Sequence, residues 1–223
     1  TLAVGLDLLA FLREEGYRVV MSRIDDRLLL PPTADTHSGG VLSLTEEHDD
    51  TEARIACANA AHADALVSIH FNAFSDPTVN GAETFYDAAR PFSADNRRLA
   101  TLAQGAILAR LHALGWAVPN RGVTDDLAAG TPSHSAEAAA YGHLLELGPA
   151  AAGWLAHPST MPGILVEPLF LSHPAEADVA VSKAGRQAIA RGLADALNSF
   201  FAPTAHASAN PGTKRVVAGL NHG

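Results

Sequence analysis

The stretch Ala65-Leu66-Val67-Ser68-Ile69-His70-Phe71-Asn72-Ala73 ends an apolar run on an imidazole. As a strand it places Leu66, Ser68 and His70 on one face and Val67 and Ile69 on the other, because strand side chains alternate with period two. A second apolar run, Gly163-Ile164-Leu165-Val166-Glu167-Pro168, ends on a carboxylate and is stopped by a proline that has no N–H for a ladder. A neutral imidazole is a metal donor and a carboxylate within reach of water is a general base, so the pair supplies parts of a metal-assisted hydrolase. Each residue also has a plainer reading, a hydrogen-bonded surface histidine and a solvated strand terminus. Spacing alone leaves both readings open.

These groups act together only if the strands that carry them lie side by side, and open α/β sheets hold their chemistry at the carboxyl ends of their strands. The pattern supports such a sheet. Leu2, Leu6 and Leu9, widened by Leu8 and Leu12, mark a helix over residues 2–15, Gly16 closes it, and a strand follows over 17–22. Residues 25–47, with two prolines and two glycines, read as a long loop in which His37 and His48 are most simply solvated. Helices are expected over 49–62, 94–114 and 184–201, the last with Ile189, Leu193, Leu197 and Phe200 at helical spacing. A strand is expected near His143–Leu147, which makes Glu146 a second strand-borne carboxylate that competes with Glu167. Residues 202–213 read as a linker.

The 223 residues, 48% hydrophobic, suffice for one substantial core. A formal charge of −9 argues against a nucleic-acid binder, which would carry a basic stripe. The single cysteine, Cys57, has no partner for an internal disulfide and reads as a small core residue. No run of membrane length is visible, so membrane insertion is not expected.

The residue strings add a resemblance. Ser68-Ile69-His70-Phe71-Asn72-Ala73 resembles the S-I-H-x-N-A string of the zinc-dependent N-acetylmuramoyl-L-alanine amidases of type 3. Val166-Glu167-Pro168-Leu169-Phe170-Leu171-Ser172-His173-Pro174 resembles their V-E-x-G-F-L-S-N-P, and Gly81–Tyr86 their G-x-E-T-Y-Y. Asn120-Arg121-Gly122-Val123 is similar to their R-G-V turn, Gly16–Arg23 to G-x-x-V-x-x-T-R, and Arg54–Asn59 to R-x-x-x-A-N. These strings follow in family order over residues 1–201, which the resemblance marks as the catalytic domain. It implies a three-layer α/β/α fold of the phosphorylase/hydrolase-like kind, with a mixed, mostly parallel sheet flanked by helices on both faces. It implies Zn2+ as cofactor, with His70 as a ligand and Glu167 as general base and then acid. Asn72 and Arg121 become candidate substrate-binding groups, with orientation of the loop and of the turn as their alternatives. The implied substrate is peptidoglycan, cut between N-acetylmuramic acid and L-alanine. The implied location is extracytoplasmic (periplasm, cell wall or secreted from a bacterium), with wall-binding or regulatory domains possible outside the chain. No matched string surrounds Glu146, which therefore ranks below Glu167.

The chain departs from the family at its start. Two further zinc ligands, the His of a D-P-G-H-G-G turn and a Glu ahead of the first long helix, precede the point matched by Thr1, so the chain reads as lacking its first strand. Residues 214–223, Lys-Arg-Val-Val-Ala-Gly-Leu-Asn-His-Gly, resemble that missing start, K-x-V-V-x-D-P-G-H-G. Three explanations stand: chance in an unstructured tail, the start of a tandem domain, or a circular permutation in which His222 completes the metal site. In the last case Glu83, Asp76 or a water would replace the absent glutamate. Two rival functions also remain, a metal-free, degenerate peptidoglycan-binding module and a zinc exopeptidase of related fold.

Overall fold

The computed structural model describes residues 1–30, 43–129, 140–202 and 214–220. Helix α1 (Leu2–Glu14) sets Val4, Leu8 and Leu12 one turn apart, all fully buried. Gly16 then takes φ +86°, the left-handed geometry that ends helices, and turns the chain into β1 (Arg18–Met21). Helix α2 (Leu44–Ala60) starts earlier than the expected residue 49, because a capping box nucleates it. Ser43 Oγ accepts from the Glu46 N–H at 3.3 Å, and Glu46 Oε2 accepts from the Ser43 N–H at 3.1 Å. There follow β2 (Ala65–Ile69), β3 (Ala82–Tyr86), α3 (Ser93–Ala113), β4 (Asn120–Asp125) and the single turn α4 (Asp126–Ala129). The remaining elements are β5 (Gly163–Glu167), α5 (Pro174–Val181), α6 (Lys183–Phe201) and β6 (Arg215–Leu220).

The six strands form one sheet in the order β1-β6-β2-β5-β3-β4. All neighbouring pairs are parallel except β3 with β5. On one face, α1, α3 and α6 pack over Val67, Ile69, Ile164, Val166, Val216 and Ala218. On the other, α2 supplies Ile55 and Ala58, and residues 140–162 lie across Phe85 and Leu165 through Leu144 and Leu147. The mixed, mostly parallel sheet with helices on both faces is the three-layer α/β/α architecture expected.

Two local expectations change. Residues 143–147 form a turn rather than a strand. Leu147 N–H and Gly148 N–H both donate to Leu144 O, at 3.0 and 2.9 Å, and Leu144 N–H donates to the Asp126 carboxylate at 3.1 Å, so these groups are engaged elsewhere than in a strand ladder. Residues 215–220, for which an unstructured tail is one reading, instead form a central strand. Val216 lies opposite both Val19 and Ala65, and Val216, Val217 and Ala218 are fully buried.

Candidate active site

Strands β2 and β5 run parallel, and their pairing continues past their ends. His70 N–H donates to Val166 O at 2.9 Å, Asn72 N–H to Leu169 O at 3.0 Å, and Leu171 N–H to Asn72 O at 2.7 Å. This ladder delivers His70, Asn72 and Glu167 together at the carboxyl edge of the sheet. The alternation read from the sequence puts Ser68 and His70 on the face covered by α2 and residues 140–162. Behind the edge, the buried Glu176 of α5 accepts from Gly81 N–H at 2.8 Å and Phe170 N–H at 2.7 Å. It thereby ties the segment after β5 to the entry of β3.

His70 is largely buried, its side chain 12% exposed. Its Nε2 lies 2.8 Å from Ser68 Oγ and 3.4 Å from Glu146 Oε1, and the Ser68 hydroxyl donates to Glu146 Oε1 at 3.5 Å. Burial alone would raise the Glu146 carboxyl, but the hydrogen bond and charge of His70 outweigh it and hold the group below its ordinary value. Glu47, at the start of α2, is raised by burial and then by the Glu146 charge, with His70 pulling the other way.

Glu167 accepts a hydrogen bond from Asn72 Nδ2 and stands opposite Glu83 in the antiparallel pair of β5 and β3. Its carboxyl is pushed up to about 7, first by burial and further by the charges of Glu83 and Glu146, against the pull of His70 and Arg121. Arg121 Nε donates to Glu83 Oε2 at 3.0 Å, and its guanidinium lies over the Phe170 ring. Both candidate substrate-binding residues therefore have partners here, Asn72 on Glu167 and Arg121 on Glu83. Asp76, by contrast, sits in an exposed turn with Thr78.

His70 thus interacts electrostatically with the carboxylates of Glu47, Glu146 and Glu167, and Glu83 adds its charge to that of Glu167. Such crowding of negative charge is what a cation relieves. The 3.4 Å between His70 Nε2 and Glu146 Oε1 suits two ligands of one zinc, each about 2.0–2.2 Å from the ion. His70 and Glu146 therefore fit a zinc. His222 lies outside the described residues. Elsewhere, among the described residues, Asp87, Asp126 and His143 bring three donor atoms within 4.8 Å of one another. That group lies at the other edge of the sheet, because β3 runs antiparallel to β5 and Asp87 is four residues beyond Glu83, roughly 13 Å along the strand.

The structure brings His70 and Glu167 to one edge, as the strand pattern expects, and sets Glu146, which no matched string surrounds, beside His70. The signal available for Glu146 was a lone carboxylate inside Leu144-Leu145-Glu146-Leu147, a position that demands a buried partner.

Comparison with known proteins follows the same lines. The sequence model of a family described as N-acetylmuramoyl-L-alanine amidase matches residues 1–199. Among solved structures, the chain is similar to the CwlD amidase of Clostridioides difficile, determined in complex with the GerS lipoprotein. The TM-score is 0.64 and the identity 21%, over 89% of this chain and 83% of that one. The AmiC2 amidase of Nostoc punctiforme gives 0.60 and 21%, over 91% and 82% of the two chains. The catalytic domain of CwlV from Bacillus (Paenibacillus) polymyxa var. colistinus gives 0.59 and 20%, over 89% and 81%. No curated protein sequence matches the chain.

Proposed function

The chain belongs to the N-acetylmuramoyl-L-alanine amidase family, enzymes acting on peptidoglycan, and we propose that it cuts the amide between N-acetylmuramic acid and L-alanine with a zinc ion held at His70 and a proton relay through Glu167. The observation that carries this reading is the continued β2–β5 ladder, which sets His70 and Glu167 side by side at one buried edge. Zinc, when bound, polarises an amide carbonyl and makes water more acidic.

The protein's own groups account for the rest. His70 and Glu146 hold the cation. Glu167 takes a proton from the attacking water, whose oxygen bonds to the scissile carbonyl carbon. It passes that proton to the alanine nitrogen as the carbon–nitrogen bond breaks, leaving a free carboxylate and a free amine. In the metal-free site burial raises the Glu167 carboxyl, and a carboxyl less acidic than usual suits a group that takes a proton and returns it. The Asn72 amide keeps Glu167 oriented, and Arg121, held over Phe170, is placed to meet a substrate carboxylate or sugar edge.

The third ligand in this reading is His222, which follows β6 in the sequence. Its support is the register of β6: Leu220 pairs with Ile69, in parallel, so the chain leaves β6 at the edge where β2 delivers His70. The substrate polymer lies outside the bacterial membrane, so the site of action is extracytoplasmic.

The test uses purified peptidoglycan and counts newly freed alanine amino groups, alongside zinc per chain. Glu167→Gln should lower turnover by about 10²–10⁴-fold with zinc retained. His70→Ala and His222→Ala should each lose both activity and the zinc bound at this edge. An active Glu167→Gln protein would overturn the relay. Full zinc at this edge in His222→Ala would remove His222 from the ligand set. A folded protein that releases no alanine amino groups would favour a binding module instead.

A further inference from the structure

We propose that Asp87, Asp126 and His143 form a second, buried zinc site that pins residues 140–162 to the sheet at the edge opposite His70. The three groups come from separate parts of the chain. Asp87 follows β3, Asp126 opens α4 directly after β4, and His143 begins the turn that leads to Glu146. Both carboxylates are fully buried and the imidazole is 13% exposed. His143 Nδ1 lies 3.0 Å from Asp87 Oδ2 and 3.2 Å from Asp126 Oδ1, close to the spacing of ligands around one tetrahedral zinc.

A metal-free account leaves an oxygen stranded. A proton on His143 Nδ1 would serve one acceptor well, and Asp126 Oδ1, at 3.2 Å, forms a hydrogen bond with that nitrogen. The other Asp126 oxygen accepts from Leu144 N–H at 3.1 Å, and Asp87 Oδ1 accepts from Ala89 N–H at 2.5 Å. Asp87 Oδ2, buried and aimed at the cluster, has no hydrogen-bond partner among the described residues. The nearby Arg90 does not relieve it. Its guanidinium is committed to Leu147 O, Gly148 O and Ser159, by side chain and backbone. A cation accepting lone pairs from Asp87 Oδ2, Asp126 Oδ1 and His143 Nδ1 satisfies all three at once.

The donor set selects the ion. Calcium gathers six to eight oxygens and magnesium keeps most of its water, whereas two carboxylates and an imidazole suit zinc. The site differs from the one at His70 in position and in residues, and it does not rest on any reaction there. Its consequence is mechanical: a zinc at His143 fixes one end of the turn whose other end presents Glu146 to His70.

The experiment counts zinc bound to the full chain after dialysis against zinc, with cobalt as a spectroscopic substitute. In His70→Ala, which disables the other site, one zinc per chain should remain. Zinc at a hundredfold excess over Kd should raise the melting temperature of that protein by about 5–10 °C. Adding His143→Gln, or separately Asp87→Asn, should abolish both the binding and the shift. Two cysteine-free, histidine-containing sites should also give two cobalt steps in the unaltered chain. A folded His70→Ala protein that binds no zinc overturns the proposal, as does unchanged zinc content in the His143→Gln or Asp87→Asn version. If the cluster variants fail to fold, the His70→Ala count and its melting shift alone decide.

Discussion

At the scale of single residues, the raised carboxyl of Glu167 is a statement about stability. In the metal-free protein its folded value of about 7 lies above the ordinary 4.5, so between those values the folded state holds a proton that the unfolded state has lost. Its contribution is therefore fully present below pH 4.5 and fades as pH rises through 7. The shift amounts to on the order of 3 kcal/mol. Urea melts of metal-free protein at pH 5 and pH 8 should show stability falling with pH, and Glu167→Gln should flatten that slope. The positions of His70 and Glu167 were legible because each ends an apolar strand, where period-two alternation fixes the face. Glu146 and His143 were not legible in this way. They sit on a turn, and a turn imposes no periodicity from which a facing direction can be read. Asp87 and Asp126 follow β3 and β4, whose neighbours in space are set by sheet order rather than by sequence.

Among the elements, the helices were largely readable from apolar spacing, and their errors are instructive. Helix α2 begins at Leu44 because Ser43 and Glu46 cap each other, a signal that lies within the stretch read as loop. Helices α3 and α6 make the most extensive contact between helices, and Gly192 permits their close approach. A Cβ there would stand 2.7 Å from Ile107 Cα and 2.8 Å from Ile107 N, backbone atoms that cannot step aside. Gly192→Ala should destabilise the fold by about 1–3 kcal/mol despite the helix preference for alanine, as measured by denaturant titration. The antiparallel meeting of β3 and β5 was not readable, since nothing in either segment specifies the direction of its neighbour. It matters nonetheless, because it sets Glu83 opposite Glu167 and sends Asp87 to the far edge. Strand β6 was read only as a resemblance. Deleting residues 214–223 should remove a central strand and abolish cooperative thermal unfolding followed by circular dichroism. A synthetic peptide of those ten residues, added back, should restore it.

For the molecule as a whole, the position of β6 has a consequence in time rather than in space. Val216 pairs with Ala65, about 150 residues earlier, and Arg215 with Arg18, nearly 200 residues earlier, separations that slow folding. Until residues 215–220 have been synthesised, β1 and β2 each present an unpaired edge, and the gap between them stays open. Helices α1, α3 and α6 can gather over the sheet before then, because none of their mutual contacts requires β6. Nascent chains interrupted before residue 215 would therefore carry a half-built molecule with two adhesive edges, and each edge could accept the sixth strand of a neighbouring chain in place of its own.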